Sequence, residues 1–337
     1  MTFRERLRVV VWLVRDTFRQ SLAHGVFWIL ACVSLVCIAL CASVTVHAPA
    51  QLALPGETED FLPHNDRDAQ DHERAAKSGV TIVDGHMTIA FGAIDLPLAR
   101  DGRRAVHFLQ LLLACGVADT CGLLLALIWT AGFLPGFLDG RNVAVLLAKP
   151  ASRWLLAGGK FAGVLCFVLA HALFFVGGTW MALGLRTGIW DAAYLWSIPL
   201  LLVHFAVFFS FSMVLAVTSR STVVCVFGSI VFWLVCWGMN FGRHAVLAET
   251  YQPEDAKFTT RAVDMVEAGY WILPKPADLG IVLYDALEAA DSFGQNGAFQ
   301  TVKDHGDFHP WASLAASVVF MFVLLAGASR QFALVDY

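Results

Sequence analysis

Phe161-Ala-Gly-Val-Leu-Cys-Phe-Val-Leu-Ala-His171-Ala-Leu-Phe-Phe-Val-Gly-Gly-Thr-Trp-Met-Ala-Leu183 runs for 23 residues without a charged side chain. About twenty such residues, wound as a helix, cross a hydrocarbon core of roughly 30 Å. Inside that core every backbone N–H and C=O must be paired within the segment, so continuous helix is expected. Short alternating strands, the mark of a membrane barrel, are missing from this run.

Five further runs of the same character lie at 27–46, 107–130, 196–217, 223–241 and 311–328. Between and beyond them fall the hydrophilic segments 1–26, 47–106, 131–160, 184–195, 218–222, 242–310 and 329–337. The chain of 337 residues is 58% hydrophobic and only 15% charged, against roughly 25% charged in an average soluble domain. The expected fold is an all-α polytopic membrane protein with six transmembrane helices. The 27–46 run exceeds the 7–15 apolar residues of a cleaved leader and reads as a retained span.

Lysine and arginine in the short segments set the expected orientation. Arg4, Arg6, Arg8, Arg15 and Arg19 precede the first span. Arg141, Lys149, Arg153 and Lys160 lie in 131–160 against one acid, Asp139. Arg220 sits in the tight turn at 218–222 and Arg330 follows the last span. Six spans bring all four segments to one side, so both termini and 131–160 are expected in the cytoplasm. The acid-rich segments 47–106 and 242–310 then lie outside the inner membrane. A net charge of −4 argues against a nucleic-acid partner.

Leu7, Val10, Val11, Val14 and Phe18 recur on one face of a helical wheel, with Arg8, Arg15 and Arg19 beside them. That pattern predicts an N-terminal helix over 1–26 lying in the membrane interface, in contact with the lipid bilayer. Val80-Thr-Ile-Val-Asp84-Gly85-His-Met-Thr-Ile-Ala-Phe91 is β-rich and predicts a hairpin about Asp84-Gly85. Residues 259–271 and 277–290 have helical apolar spacing, separated by Pro274 and Pro276. A small α+β extracytoplasmic cap is the expected sum of these pieces.

Chemistry is sparse. Gly158-Gly159-Lys160 lacks what a phosphate-binding loop requires, with Trp154 at the first glycine position and Phe161 in place of Ser or Thr. Cys32, Cys37, Cys41, Cys115, Cys121, Cys166, Cys225 and Cys236 all fall in apolar runs, and the two long hydrophilic loops hold none. No disulfide framework follows, and each reads as a small buried apolar residue. His64, Asp66, Asp68, His72 and Glu73 match no tetrahedral zinc spacing and read as a solvated acidic loop. No cofactor, metal or catalytic residue is expected. Three polar residues inside spans are singled out as candidates: Asp119 in the second, His171 in the third and His204 in the fourth. A carboxylate at mid-span is costly unless paired, hydrated or protonated, which makes Asp119 a functional candidate. The histidines are expected to hydrogen-bond across the bundle.

The segment Phe137-Leu-Asp-Gly-Arg-Asn-Val-Ala-Val-Leu-Leu-Ala-Lys-Pro-Ala-Ser-Arg-Trp154 is at once apolar and cationic. Its spacing predicts a short helix over 137–149, ended because the residue before Pro150 disfavours the α conformation. Ser152 can then cap the helix entering the third span. A knob of this composition suits docking into a groove on a soluble partner.

Here the chain resembles the permease subunits of ABC-2-type ATP-binding-cassette transporters, in the flavour of the multicopper-enzyme-maturation and nitrous-oxide-reductase-assembly permeases. Those commonly carry Leu-Leu-x-x-Pro-x-Ser-Arg followed by a lysine opening the next span, matched by Leu146, Leu147, Pro150, Ser152, Arg153 and Lys160. The layout agrees along the chain, whereas the specific motif covers about twenty-five residues. Asn142-Val143-Ala144-Val145 stands where the family often has Gly-Thr-x-Glu. The resemblance implies an export subunit, paired as a homodimer or with a related permease. It also implies a separate cytoplasmic ATPase seated on Arg141, Val143, Leu146, Leu147, Lys149, Pro150 and Arg153. Two other readings are a non-transporting scaffold of this fold and an intramembrane enzyme or redox protein using Asp119, His171 and His204.

Overall fold

The computed structural model describes residues 3–47, 50–52, 81–83, 85–98, 102–137, 152–251, 258–287 and 297–334. Among these residues, six helices are long and apolar enough to cross a membrane: Gly25–Ser43, Ala105–Thr130, Arg153–Thr187, Ala192–Ser219, Thr222–Thr250 and Pro310–Leu334. The protein is a multi-pass membrane protein, and these are its spans one to six.

In chain order the helices are α1 (Phe3–Leu22), α2 (Gly25–Ser43), α3 (Gly102–Leu111), α4 (Leu123–Thr130), α5 (Phe133–Phe137), α6 (Arg153–Thr187) and α7 (Ser197–Ser219). Then come α8 (Thr222–Thr250), α9 (Thr260–Ile272), α10 (Pro276–Ala286), α11 (Gly297–Asp304) and α12 (Pro310–Leu334). A π-helix, Leu112–Gly122, joins α3 to α4, and a 3-10 turn, Ala192–Trp196, leads into α7.

Several of these helices outrun their apolar stretches. α6 has 35 residues, about 52 Å at 1.5 Å per residue, far more than a bilayer core needs. It begins at Arg153, so Lys160, expected in the connecting segment, is a buried residue of span three. Ser152 caps it, accepting from Leu155 N at 3.3 Å. α8 continues to Thr250 instead of stopping at 241, because Asn240, Arg243 and His244 find side-chain partners beyond the apolar stretch. Arg220 takes a left-handed conformation (φ 53°) between α7 and α8, which makes the predicted tight turn possible.

α1 lies along the first half of α6. Its buried residues are Leu13, Thr17 and Ser21. Leu13 and Thr17 meet Gly159 and Gly163, where an added Cβ would come within 2.6 Å of Leu13 Cδ1 and 2.8 Å of Thr17 Oγ1. Small residues four apart let two helix backbones approach this closely. Of the predicted apolar stripe, Val10 and Val14 flank this contact and Phe18 packs edge-on against Phe167, ring centres 5.0 Å apart. Leu7 and Val11 stay exposed.

Among the described residues there are five strands: β1 (Thr45–His47), β2 (Ala50–Leu52), β3 (Thr81–Val83), β4 (Gly85–Ile89) and β5 (Ile94–Leu98). They correct the expected hairpin about Asp84-Gly85. β3 pairs with β2, while β4 pairs with β1 and β5, so the two strands flanking Asp84 belong to different sheets. The hairpin turn is at 90–93 instead, between β4 and β5. Ala90, Phe91 and Gly92 all have positive φ there, and Ala93 N bonds back to Ala90 O at 3.2 Å. Asp84 itself lies outside the described residues. α9 and α10 form where apolar spacing predicted helices, and α11 is an additional one.

Candidate functional site

Span two is the irregular member of the bundle, and its irregularity is centred on its one carboxylate. Through the π-helix each backbone bond reaches five residues back, and Thr120 Oγ1 follows the same rhythm by donating to Cys115 O at 2.9 Å. Stretches of this kind recur at functional sites because they re-aim side chains that an α-helix would place elsewhere. Here Asp119 Oδ1 meets His204 Nδ1 of α7 in a very short contact. His204 is 2% exposed and Asp119 18%. The ring of Phe208 leans over the imidazole at 5.1 Å. With Nδ1 committed to the carboxylate, Nε2 of His204 is buried without a partner among the described residues. Two of the three polar candidates therefore form one unit.

His171 belongs elsewhere. Its Nε2 lies 3.2 Å from Ser34 Oγ of α2. Ser34 already donates to Leu30 O at 2.9 Å, so it accepts from His171, which fixes the proton on Nε2. His171 and Ser34 border a separate small cavity of about 80 Å³. This pair joins span three to span one across the bundle, the role expected of an intramembrane histidine.

Asp119 borders a larger cavity of about 360 Å³ between the π-helix, α8 and α10. One wall is aromatic: Trp233, Trp237 and Phe241 repeat every four residues along α8, and Phe299 of α11 continues the wall at 5.1 Å from Phe241. Among the described residues, Asp119 is the single charged side chain in the lining. Among the same residues, no three His, Cys, Asp or Glu side chains gather as metal ligands.

A second polar centre, unmarked by any motif, ties the end of span five to α9, α10 and span six. Asp278 is buried and takes Asn240 Nδ2 at 2.8 Å, His244 Nε2 at 3.3 Å and the Tyr270 hydroxyl. Tyr270 also meets Ser313 Oγ of α12 at 2.7 Å, and Asn240 Oδ1 accepts from Ala277 N at 2.9 Å. Burial pushes the Asp278 carboxyl up, but hydrogen bonds from His244, Tyr270 and Asn240 outweigh it and hold it below the usual range. Burial brings Lys275, which packs over the Tyr270 ring at 4.8 Å, down to about 8. Arg243 makes a two-pronged bond to Glu267, at 2.7 and 3.0 Å, and that pairing keeps Glu267 low despite partial burial. These partners are separated by 8 to 43 residues in sequence, with no common spacing to reveal them.

Of the residues expected to seat an ATPase, Arg141, Val143, Leu146, Leu147, Lys149 and Pro150 lie outside the described residues. Arg153 is described, and its Nη1 donates to the carbonyls of Phe332 and Ala333 at the end of α12, both at 3.1 Å. Lys160, about two turns further along, donates to Gln20 Oε1 of α1 at 2.7 Å and lies 3.5 Å from Asp16. Compared with known proteins, the chain matches no family model and no curated protein.

Proposed function

We propose that this chain is the membrane-spanning permease subunit of an ABC-2-type ATP-binding-cassette transporter, working in export. A separate cytoplasmic ATPase drives it, docked on the 137–149 segment. Both termini face the cytoplasm of the inner membrane, α1 lies at the lipid interface, and the sheets with α9 to α11 form an α+β cap outside. Two such subunits, identical or related, pair to complete the transporter.

One observation supports this reading most. The residues that follow the docking segment grip the rest of the bundle: Arg153 holds the end of span six and Lys160 holds α1. A push on the segment is therefore delivered to α1, span three and span six together. Coupling requires a physical link whose arrangement differs between two states, and α6 supplies a rigid lever for it. The Asp119–His204 pair beside its cavity gives the moving bundle a polar centre at mid-span.

Leu146 and Leu147 carry the test. In a cationic connecting segment they face no lipid, and a partner groove that buries both gains roughly 3–6 kcal/mol before association costs. Changing both to Asp is expected to leave the spans folded and release the ATPase on co-purification. Retention of the ATPase at wild-type stoichiometry would remove the docking role.

A further inference from the structure

The cavity beside Asp119 has a composition that selects a ligand class. Its volume of about 360 Å³ falls at the lower end of the range for small-molecule sites. The rings of Trp233 and Trp237 lie 6.5 Å apart and nearly parallel, and Phe241 follows at 4.3 Å from Trp237. Tyr284 of α10 adds a further ring to the lining. Among the described residues no lysine or arginine lines the cavity, and the one basic side chain that meets Asp119 is His204, through Nδ1. Nε2 of His204 is buried without a partner among the described residues. Trp233 Nε1 is a second buried polar atom without a partner among the described residues, on a side chain that is itself more than nine-tenths buried.

We propose that this cavity binds a small organic ammonium ion, its cationic nitrogen held between Asp119 and the tryptophan rings. An aromatic face attracts a cation through its ring quadrupole, tryptophan most strongly, and rows of such faces are the known way to recognise quaternary ammonium groups. A neutral apolar ligand fills the same space but leaves the carboxylate without a counter-charge. An anion is repelled by it. A ligand oxygen placed beside the head group would also satisfy the Trp233 N–H, which has no acceptor among the described residues. The site depends on the π-helix, since that turn sets Asp119 at once against His204 and the cavity. It stands whether or not an ATPase drives the protein.

The full chain in nanodiscs of uncharged lipid is titrated calorimetrically with benzyltrimethylammonium and with neopentylbenzene, its neutral isostere. Saturable binding of the cation, with much weaker binding of the isostere, is expected. Asp119→Asn keeps the hydrogen bond to His204 but removes the charge. It is expected to weaken the cation roughly tenfold or more, the scale of one lost charge-assisted contact. The isostere should be unaffected. If Asp119→Asn fails to assemble, Trp237→Leu takes its place, because that ring is 43% exposed and its loss leaves the packed interior intact. A drop of about fivefold for the cation alone is then expected. Equal binding of cation and isostere would make the cavity an apolar cleft for a lipid tail. That result, absence of saturable cation binding, or unchanged affinity in the variant overturns the proposal.

Discussion

Asp119 is a residue whose cost is legible in the sequence, since a carboxylate at mid-span is unfavourable by several kcal/mol unless paired. Its partner is not legible there, because His204 is 85 residues away and both sit in featureless apolar runs. Asp278 is the opposite case. The helical spacing of 277–290 covers its position but does not mark it, yet it takes hydrogen bonds from three different side chains. Its value in the fold lies below the ordinary carboxylate value of about 4. The stability it contributes is complete above that value and is lost as pH falls through the lowered one. Asp278→Asn is expected to flatten the acid limb of a thermal-stability profile below about pH 4, leaving Glu267's share. At neutral pH it should cost about 1–3 kcal/mol for each donor left unsatisfied. An unchanged acid limb would contradict the assignment. Lys275 acts at the other end. The unfolded chain keeps a proton that the fold sheds at about 8, so its contribution makes stability rise with pH from there to 10.5.

At the scale of elements, apolar runs marked all six spans but not where they end. Helix α8 passes Asn240, Arg243 and His244 because each is satisfied by a side chain from α9 or α10, and hydropathy alone cannot register that. The Asp84-Gly85 signal failed for a related reason. A local turn preference yielded to pairing of β4 with β1, which joins the sheet to the end of span one. The face of α1 was half legible. Its apolar stripe was visible, but the contact that positions it runs through Leu13 and Thr17 onto two glycines of α6. Gly163→Val tests that contact. A Cβ there would meet Thr17 Oγ1 at 2.8 Å and Val14 Cα at 3.3 Å, and overpacking of this kind costs about 1–3 kcal/mol. Spin labels on α1 and α6 should move apart in this variant. In Gly158→Val, where nothing lies within 4 Å, they should keep their wild-type distance. Equal distances in all three proteins would mean that α1 is not held by this seam.

On the whole-molecule scale, two of the polar fastenings among the described residues share span six. One, at Arg153 and Lys160, gathers α1, span three and the end of span six. The other, around Asp278, gathers span five, α9, α10 and the start of span six. Span six is common to both, entering at Ser313 and leaving at Phe332 and Ala333. A displacement begun at the first fastening therefore has a continuous path through α12 to the second, whose α10 borders the cavity beside Asp119. In the transporter reading this is how ATP-driven motion at 137–149 reaches the centre of the membrane. ATP turnover by the partner ATPase, reconstituted with this chain in nanodiscs, tests that claim most directly. The wild-type chain should raise turnover above that of the ATPase alone, and the Leu146→Asp, Leu147→Asp double variant, still folded, should return it to the unassisted level. Turnover that is the same with the wild-type chain, with the double variant and with empty nanodiscs would contradict the account.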